Sequence, residues 1–383
     1  IGLTAFAGGI LNTHERFGVP AFTPVLLNLV LIACALWLAP RLDQPVMALA
    51  WGVLLAGLVQ LAFQLPFLAR LGLLPRPRLG LRHPGVRRIG RLMGPALFGV
   101  SVAQVALLID TLLASLLVTG SISWLYYSDR LVEFPLGILG AALGTVILPQ
   151  LSRSAGVRAE SGAGGAFSRT LDWALRWVLL LGVPASIGLM LLAGPVLATL
   201  FLSGSFGAED VTMARQSLVA YSAGLTGFMA VKALVPGYYG RQDVRTPMRI
   251  ALLAMVVNLL LSLALMIPFG HGGLAAATSL AALLNGGLLL AGLTRAGVYR
   301  PLPGWRLLLL RALAANLAMA LLLWWLAGPT ADWLETAGAE RVLRLASVIG
   351  AAALVYGGAL LALGLRPRHF REPPQHAEGD GAE

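Results

Sequence analysis

Three ionisable side chains sit where an apolar chain least tolerates them: Asp129, Arg130 and Glu133, within SISWLYYSDRLVEFPLGILGAALGTVILPQLSR, residues 121–153. At ~1.5 Å of rise per residue, Arg130 lies roughly 13 Å along a helix that begins at Ser121. An ionised group at the bilayer centre costs at least about 2.5 to 3.5 kcal/mol on insertion scales, so such a group is expected to face a partner or a water-filled cavity. Asp129 and Glu133 are spaced i, i+4 and Arg130 and Glu133 i, i+3, which lets all three share one flank and partly neutralise one another. The alternative reading is an internal salt bridge that only holds helices together.

Two more sets of polar residues stand out. Lys232 is the sole lysine of the chain and falls mid-crossing in GFMAVKALVPG. It reads as a cavity position, with a snorkelling or ion-paired side chain as the competing reading. Asp110 is a second intramembrane acid, flanked by LLID and TLLAS. Asn258 and Ser262 share one face of a later helix, and Thr278 follows the FGHGG turn. A carboxylate with neutral oxygens is what a small hard cation prefers; an Asp110 that is protonated, or hydrogen-bonded across helices, is the alternative. Cys34 is the only cysteine, which excludes a disulfide framework. His14, His83, His271, His369 and His376 are expected in loops and tail, without zinc-ligand spacing.

The elements that must position these groups are membrane helices. The 383 residues are 58% hydrophobic and 12% charged, and apolar runs of about 18 to 25 residues recur along the chain, the length that crosses a hydrocarbon core. An all-α polytopic membrane protein of about ten full crossings, plus a partial first helix, follows. Outer-membrane barrels would show short alternating segments instead. The net charge of +11 would suggest nucleic acid in a soluble chain, but the arginines fall on alternate loops, as cytoplasmic segments require.

The most basic loop carries Arg70, Arg76, Arg78, Arg82, Arg87, Arg88 and Arg91 and is read as cytoplasmic. The crossings around it run over about 24–38, 46–68, 89–118, 121–153, 173–202, 211–239, 250–268, 274–293, 307–327 and 342–363. The polar tail from Glu372 is expected to be disordered. LTAFAGGILN at the start reads as the second half of a helix, so a preceding part is expected. Arg16, Val19, Thr23 and Pro24 are echoed by Arg241, Val244, Thr246 and Pro247, which suggests two six-helix lobes related by an axis along the membrane normal. Pro95, Pro135, Pro184 and Pro236 are hinge candidates or fixed kinks.

GGILNTHERFGVPAFTPVLLN, MGPALFGVSVAQ, YYSDRLVEFPLGILGAALGTVILPQLSR and ALVPGYYGRQDVRTP together resemble the MurJ (MviN) lipid II flippases, of the multidrug/oligosaccharidyl-lipid/polysaccharide exporter superfamily. The resemblance implies a two-lobe, MATE-like transporter fold. Residues 1–68 would be an incomplete first lobe running from the end of its fourth helix to its sixth. A basic cytoplasmic loop would occupy 69–88 and a second six-helix lobe 89–293. Two extra helices over 294–365 would form a groove for a lipid tail, followed by a disordered tail over 366–383.

It also implies a monomer of the bacterial inner membrane, in contact with membrane lipids, that is not an enzyme and serves cell-wall biogenesis and cell shape. Such a protein moves lipid II, an undecaprenyl-pyrophosphate-linked disaccharide-pentapeptide, from the cytoplasmic to the periplasmic leaflet by alternating access. Arg130 matches the family's cationic-cavity arginine on this helix, and forked guanidinium donors suit a pyrophosphate. Asp129 and Glu133 would tune or hold it, and Lys232 would join them. No cofactor is implied, but a Na+ coupling ion held by Asp110, Asn258, Ser262, Thr278 and the Leu274 carbonyl is; Ser262 stands where that site has an acid. A drug or polysaccharide exporter of the same superfamily is the near alternative. A polytopic cell-wall enzyme is the distant one, but it would need an aqueous loop with paired acids or histidines, and the loops here are short and poor in them.

Overall fold

A computed structural model describes residues 2–14, 16–73, 90, 104–156, 163–241, 243–336 and 338–365, of which 139–156 and 163–166 are described by their backbone alone. The upper part of the 89–118 crossing, most of the basic loop and the tail lie outside the described residues. By its internal contacts the chain divides into two units, Ile1–Leu92 and Met93–Glu383.

The first unit holds α1 (Gly2–Thr13), α2 (Gly18–Ala33) and α3 (Met47–Arg70). Helix α2 continues to Arg41 through a π turn at Cys34–Leu38 and a 3-10 turn at Ala39–Arg41. Small residues let α3 approach its neighbours: a Cβ on Gly52 would stand 3.3 Å from Cys34 Cβ. Buried Gln60 donates from Nε2 to the Thr23 carbonyl at 2.8 Å, in the turn where Pro24 interrupts the ladder of α2.

The second unit contains α4 (Gln104–Ser115), α5 (Ser121–Gly156) and α6 (Ala163–Trp177), then a π turn (Val178–Gly182), α7 (Val183–Leu191) and α8 (Ala193–Phe201). It continues through α9 (Ala208–Tyr239), α10 (Arg245–Arg295), α11 (Trp305–Ala327), α12 (Thr330–Glu335) and α13 (Gly338–Ala362). Seven helical runs are long and apolar enough to cross a membrane, among the described residues. One of them, α10, is two helices joined at Gly270, whose φ of 55° is left-handed backbone that glycine adopts without steric cost. The expected hairpin around FGHGG is therefore present, whereas the expected 173–202 crossing stops at Leu191 and restarts as α8.

Helix α9 is the hub of this unit, packed between α5 and α10 and against α7 and α8. Glycine makes the α10 contact possible, because a Cβ on Gly224 would fall 2.5 Å from Ser279 Cα and one on Gly227 2.7 Å from Leu283 N. Such small-residue contacts bring helix backbones together where lipid supplies no hydrophobic drive for association. Ser279 adds a 2.7 Å hydrogen bond to the Ala220 carbonyl.

Candidate functional site

Helix α5 has two chemically distinct faces. Ser121, Trp124, Ser128 and Val132 recur at helical spacing and are buried. Trp124 donates from Nε1 to Asp210 at 2.7 Å, and the Ser128 hydroxyl lies 2.9 Å from the Ala214 carbonyl, so this face is fixed to the start of α9. Trp124 also meets the ring of His271 edge-on at 4.9 Å, and His271 Nδ1 is 2.7 Å from the Ser217 hydroxyl. His271, expected in a loop, is thus buried at the α10 hairpin, because the turn packs down onto α5 and α9 instead of standing clear of them.

The opposite face of α5 carries Tyr126, Asp129, Arg130 and Glu133, all exposed. Arg130 Nη1 is 2.6 Å from Glu133 Oε2, with side-chain exposures of 53% and 51%. The guanidinium also stands over the Tyr126 ring at 5.0 Å. The expected flank is therefore formed, but the pairing is selective: Asp129 takes no part in either ion pair found among the described residues. An arginine held along one side by a carboxylate and a ring face has guanidinium donors beyond those that Glu133 takes up, and both members of the pair are about half exposed.

Helices α5 and α9 run parallel, since Trp124 meets Asp210 and Ser128 meets Ala214. This registers the other polar groups against Arg130. Lys232 lies 18 residues beyond Ala214, so it is about 24 Å farther along the axis than Arg130. The structure does not bring Lys232 to the charged cluster; it is exposed and belongs to neither ion pair.

The candidate cation residues do draw together in pairs. The Asn258 side chain lies beside the Asp110 carboxylate, the Ser262 hydroxyl is 3.4 Å from Asn258 Oδ1, and the Thr278 hydroxyl donates to the Leu274 carbonyl at 3.1 Å. Ser262 and Leu274 are buried. Ser279, next to Thr278, bonds the carbonyls of Ala220 and Tyr221 and so sets the Thr278 end of these residues against α9, at a level between Arg130 and Lys232.

One ionic centre escapes the sequence reading. Asp172 of α6 is fully buried, and its Oδ1 accepts from the Tyr299 hydroxyl (2.9 Å), the Leu302 N–H (3.1 Å) and Trp305 Nε1 (2.7 Å). Its Oδ2 accepts from Arg176 Nε at 2.6 Å, and Arg176 reaches on to the Pro303 carbonyl. Burial, and then the bond to Asp172, push the Tyr299 hydroxyl well above its ordinary range. With every strong acceptor site of the carboxylate occupied, this cluster fastens the start of α11 to α6 and leaves nothing for a ligand. The i, i+4 spacing of Asp172 and Arg176 beside Trp173 and Trp177 was the available signal. At the other end of α11 and α13, buried Arg341 donates to the carbonyls of Ala198 and Thr336, closing the last turn of α8.

Comparison with known proteins gives the family. The family model described as lipid II flippase MurJ matches residues 1–340. A probable lipid II flippase MurJ of Haemophilus influenzae is 48% identical over 97% of this chain and 73% of its own length. One from Vibrio cholerae is 49% identical over 97% and 70%, and the lipid II flippase MurJ of Burkholderia cenocepacia is 42% identical over 97% and 72%. A solved lipid II flippase MurJ in an inward closed conformation superposes with a TM-score of 0.69 at 21% identity, covering 94% of this chain and 72% of that one, which shows the fold. By the family match and by relatives near half identity along almost its whole length, this chain belongs to the MurJ family of lipid II flippases.

Proposed function

We propose that this multi-pass bacterial inner-membrane protein is a lipid II flippase in which Arg130 meets the pyrophosphate of the undecaprenyl-linked precursor. The observation that carries the role of Arg130 is its half-exposed guanidinium, nine residues into α5, paired along one side with Glu133 and backed by Tyr126. Glu133 and Tyr126 hold the guanidinium in place, and an incoming diphosphate competes with Glu133 for its donors. Asp129 shares the exposed face and raises the local negative charge, so the headgroup is held loosely enough to leave. Lys232, about 24 Å along the axis, meets the headgroup at a different stage of transfer from the cytoplasmic to the periplasmic leaflet. Rocking of two lobes would expose the two levels in turn. The protein works on lipid II as a monomer and without catalysing a reaction.

Asp110, Asn258, Ser262, Thr278 and the Leu274 carbonyl fit a small monovalent cation such as Na+ in donor chemistry, being oxygens only and including one carboxylate. The hydroxyls of Ser262 and Thr278 now point at neighbouring oxygens and would turn to let those oxygens face the ion. The ion would neutralise Asp110 between the two headgroup levels.

The test is complementation. A strain depleted of its own flippase and supplied with the full protein carrying Arg130→Ala is expected to lyse as the depleted strain does, at normal protein abundance. Growth at the rate given by the unsubstituted protein would overturn the assignment of Arg130.

A further inference from the structure

The run α6–α7 is irregular at one place. Residues Val178–Gly182 form a π turn, followed at once by Pro184. In a regular helix the carbonyl of Leu180 would accept from the N–H of residue 184, and proline has none. The hydroxyl of Tyr356, from the middle of α13, donates to that carbonyl at 2.7 Å. Leu180 itself is buried in a cluster with Leu308 and Ala312 of α11, against which Leu360 of α13 packs.

The irregular turn presses in turn on α9. A Cβ on Gly182 would stand 3.0 Å from Met229 Sδ. The Ser186 hydroxyl, bonded to the Gly182 carbonyl at 2.9 Å, lies 3.1 Å from the Thr226 hydroxyl. Thr226 and Met229 are on the two α9 turns that precede Lys232. A polar path therefore runs from α13 through the bulge to the wall of α9. The buried Asp172 and Arg341 clusters fasten the same helix pair at its two ends, so the Tyr356 bond is where the middle of α13 meets the bend.

We propose that Tyr356 is a positioning residue for transport: its hydroxyl ties the α11–α13 pair to the bend at Leu180 and Pro184, and through that bend sets the α9 wall that carries Lys232. The proposal rests on the flippase reading for its functional half only. The bond serves a carbonyl whose regular helical donor is missing at Pro184, in an apolar surrounding where a backbone group cannot turn to solvent. Loss of the bond loosens the bend, and α9 then presents its face less uniformly to the headgroup.

The full protein is compared as wild type, Tyr356→Phe, Pro184→Ala and the double variant. Hydrogen exchange is read at 178–186, and flipping is read with lipid II in vesicles. Tyr356→Phe should speed exchange at 178–186 and slow flipping by about tenfold, the weight of one net hydrogen bond, while lipid II affinity changes less than about twofold. Pro184→Ala supplies the missing N–H, so the double variant should flip and exchange as Pro184→Ala does alone. Unchanged exchange at 178–186 in Tyr356→Phe overturns the proposal, and so does an equal loss from Tyr356→Phe in both backgrounds. If the wild type does not flip lipid II, the flippase reading fails, and the exchange arm still decides whether Tyr356 holds the bend. Should Pro184→Ala not fold, exchange in Tyr356→Phe alone decides in the same way.

Discussion

Two arginine–carboxylate pairs of equal length sit on neighbouring helices of the second unit and do different things. Arg130–Glu133 and Arg176–Asp172 are each 2.6 Å apart and each within one helical turn. The first is about half exposed on both sides, whereas Asp172 is sealed at 1% side-chain exposure and takes three further donors. Coulomb attraction is the same in kind, so the surroundings decide the role. A carboxylate whose acceptor sites are filled by its own helix and by the segment leading into α11 is a fastener. A guanidinium with donors to spare, half exposed on its helix, would on the proposed reading exchange its partner for an anion.

Substitutions should separate the two pairs. Asp172→Ala leaves Arg176, Tyr299, Leu302 and Trp305 without their acceptor and should cost about 3 to 5 kcal/mol of stability, read as a large drop in the thermal unfolding midpoint in detergent. Tyr299→Phe removes one donor of four and should cost about 1 kcal/mol. Arg130→Ala should change stability by less than about 1 kcal/mol while abolishing transport, the reverse of a fastener's behaviour.

The smallest effect concerns Asp243, at the entry to α10. The Thr246 hydroxyl and then its N–H hold the Asp243 carboxyl below the usual carboxylate range. A depressed folded-state value adds stability above the ordinary carboxylate pKa, and that stability is lost as pH falls through the folded value. Asp243→Ala should therefore lower stability slightly at neutral pH and leave the acid end unchanged, so that the fall toward acid is shallower. Equal thermal losses in Asp172→Ala and Arg130→Ala would erase the contrast between the pairs.

Much of the fold was legible because membrane helices announce themselves by length and apolarity, as over Met47–Arg70 and Trp305–Ala327. The charged face of α5 was legible for the same reason, charge being costly there. What stayed hidden depends on distant partners. Asp172 looks like an acid beside a basic loop until donors 127 to 133 residues away close on it. Tyr356 reads as one more aromatic in an apolar helix, and only the carbonyl at Leu180 gives its hydroxyl a purpose. Lys232 shows the converse: the residue type suggests membership of the charged cluster, and helix register puts it elsewhere along α9.

The direct measurement is lipid II binding to the purified full protein, wild type against Arg130→Gln, with the thermal midpoint recorded on the same samples. Affinity should fall at least about tenfold, the scale of one charge-assisted bond, with the midpoint unmoved. Equal affinity at an unmoved midpoint would show that the guanidinium does not meet the diphosphate, and the account of the site would be wrong.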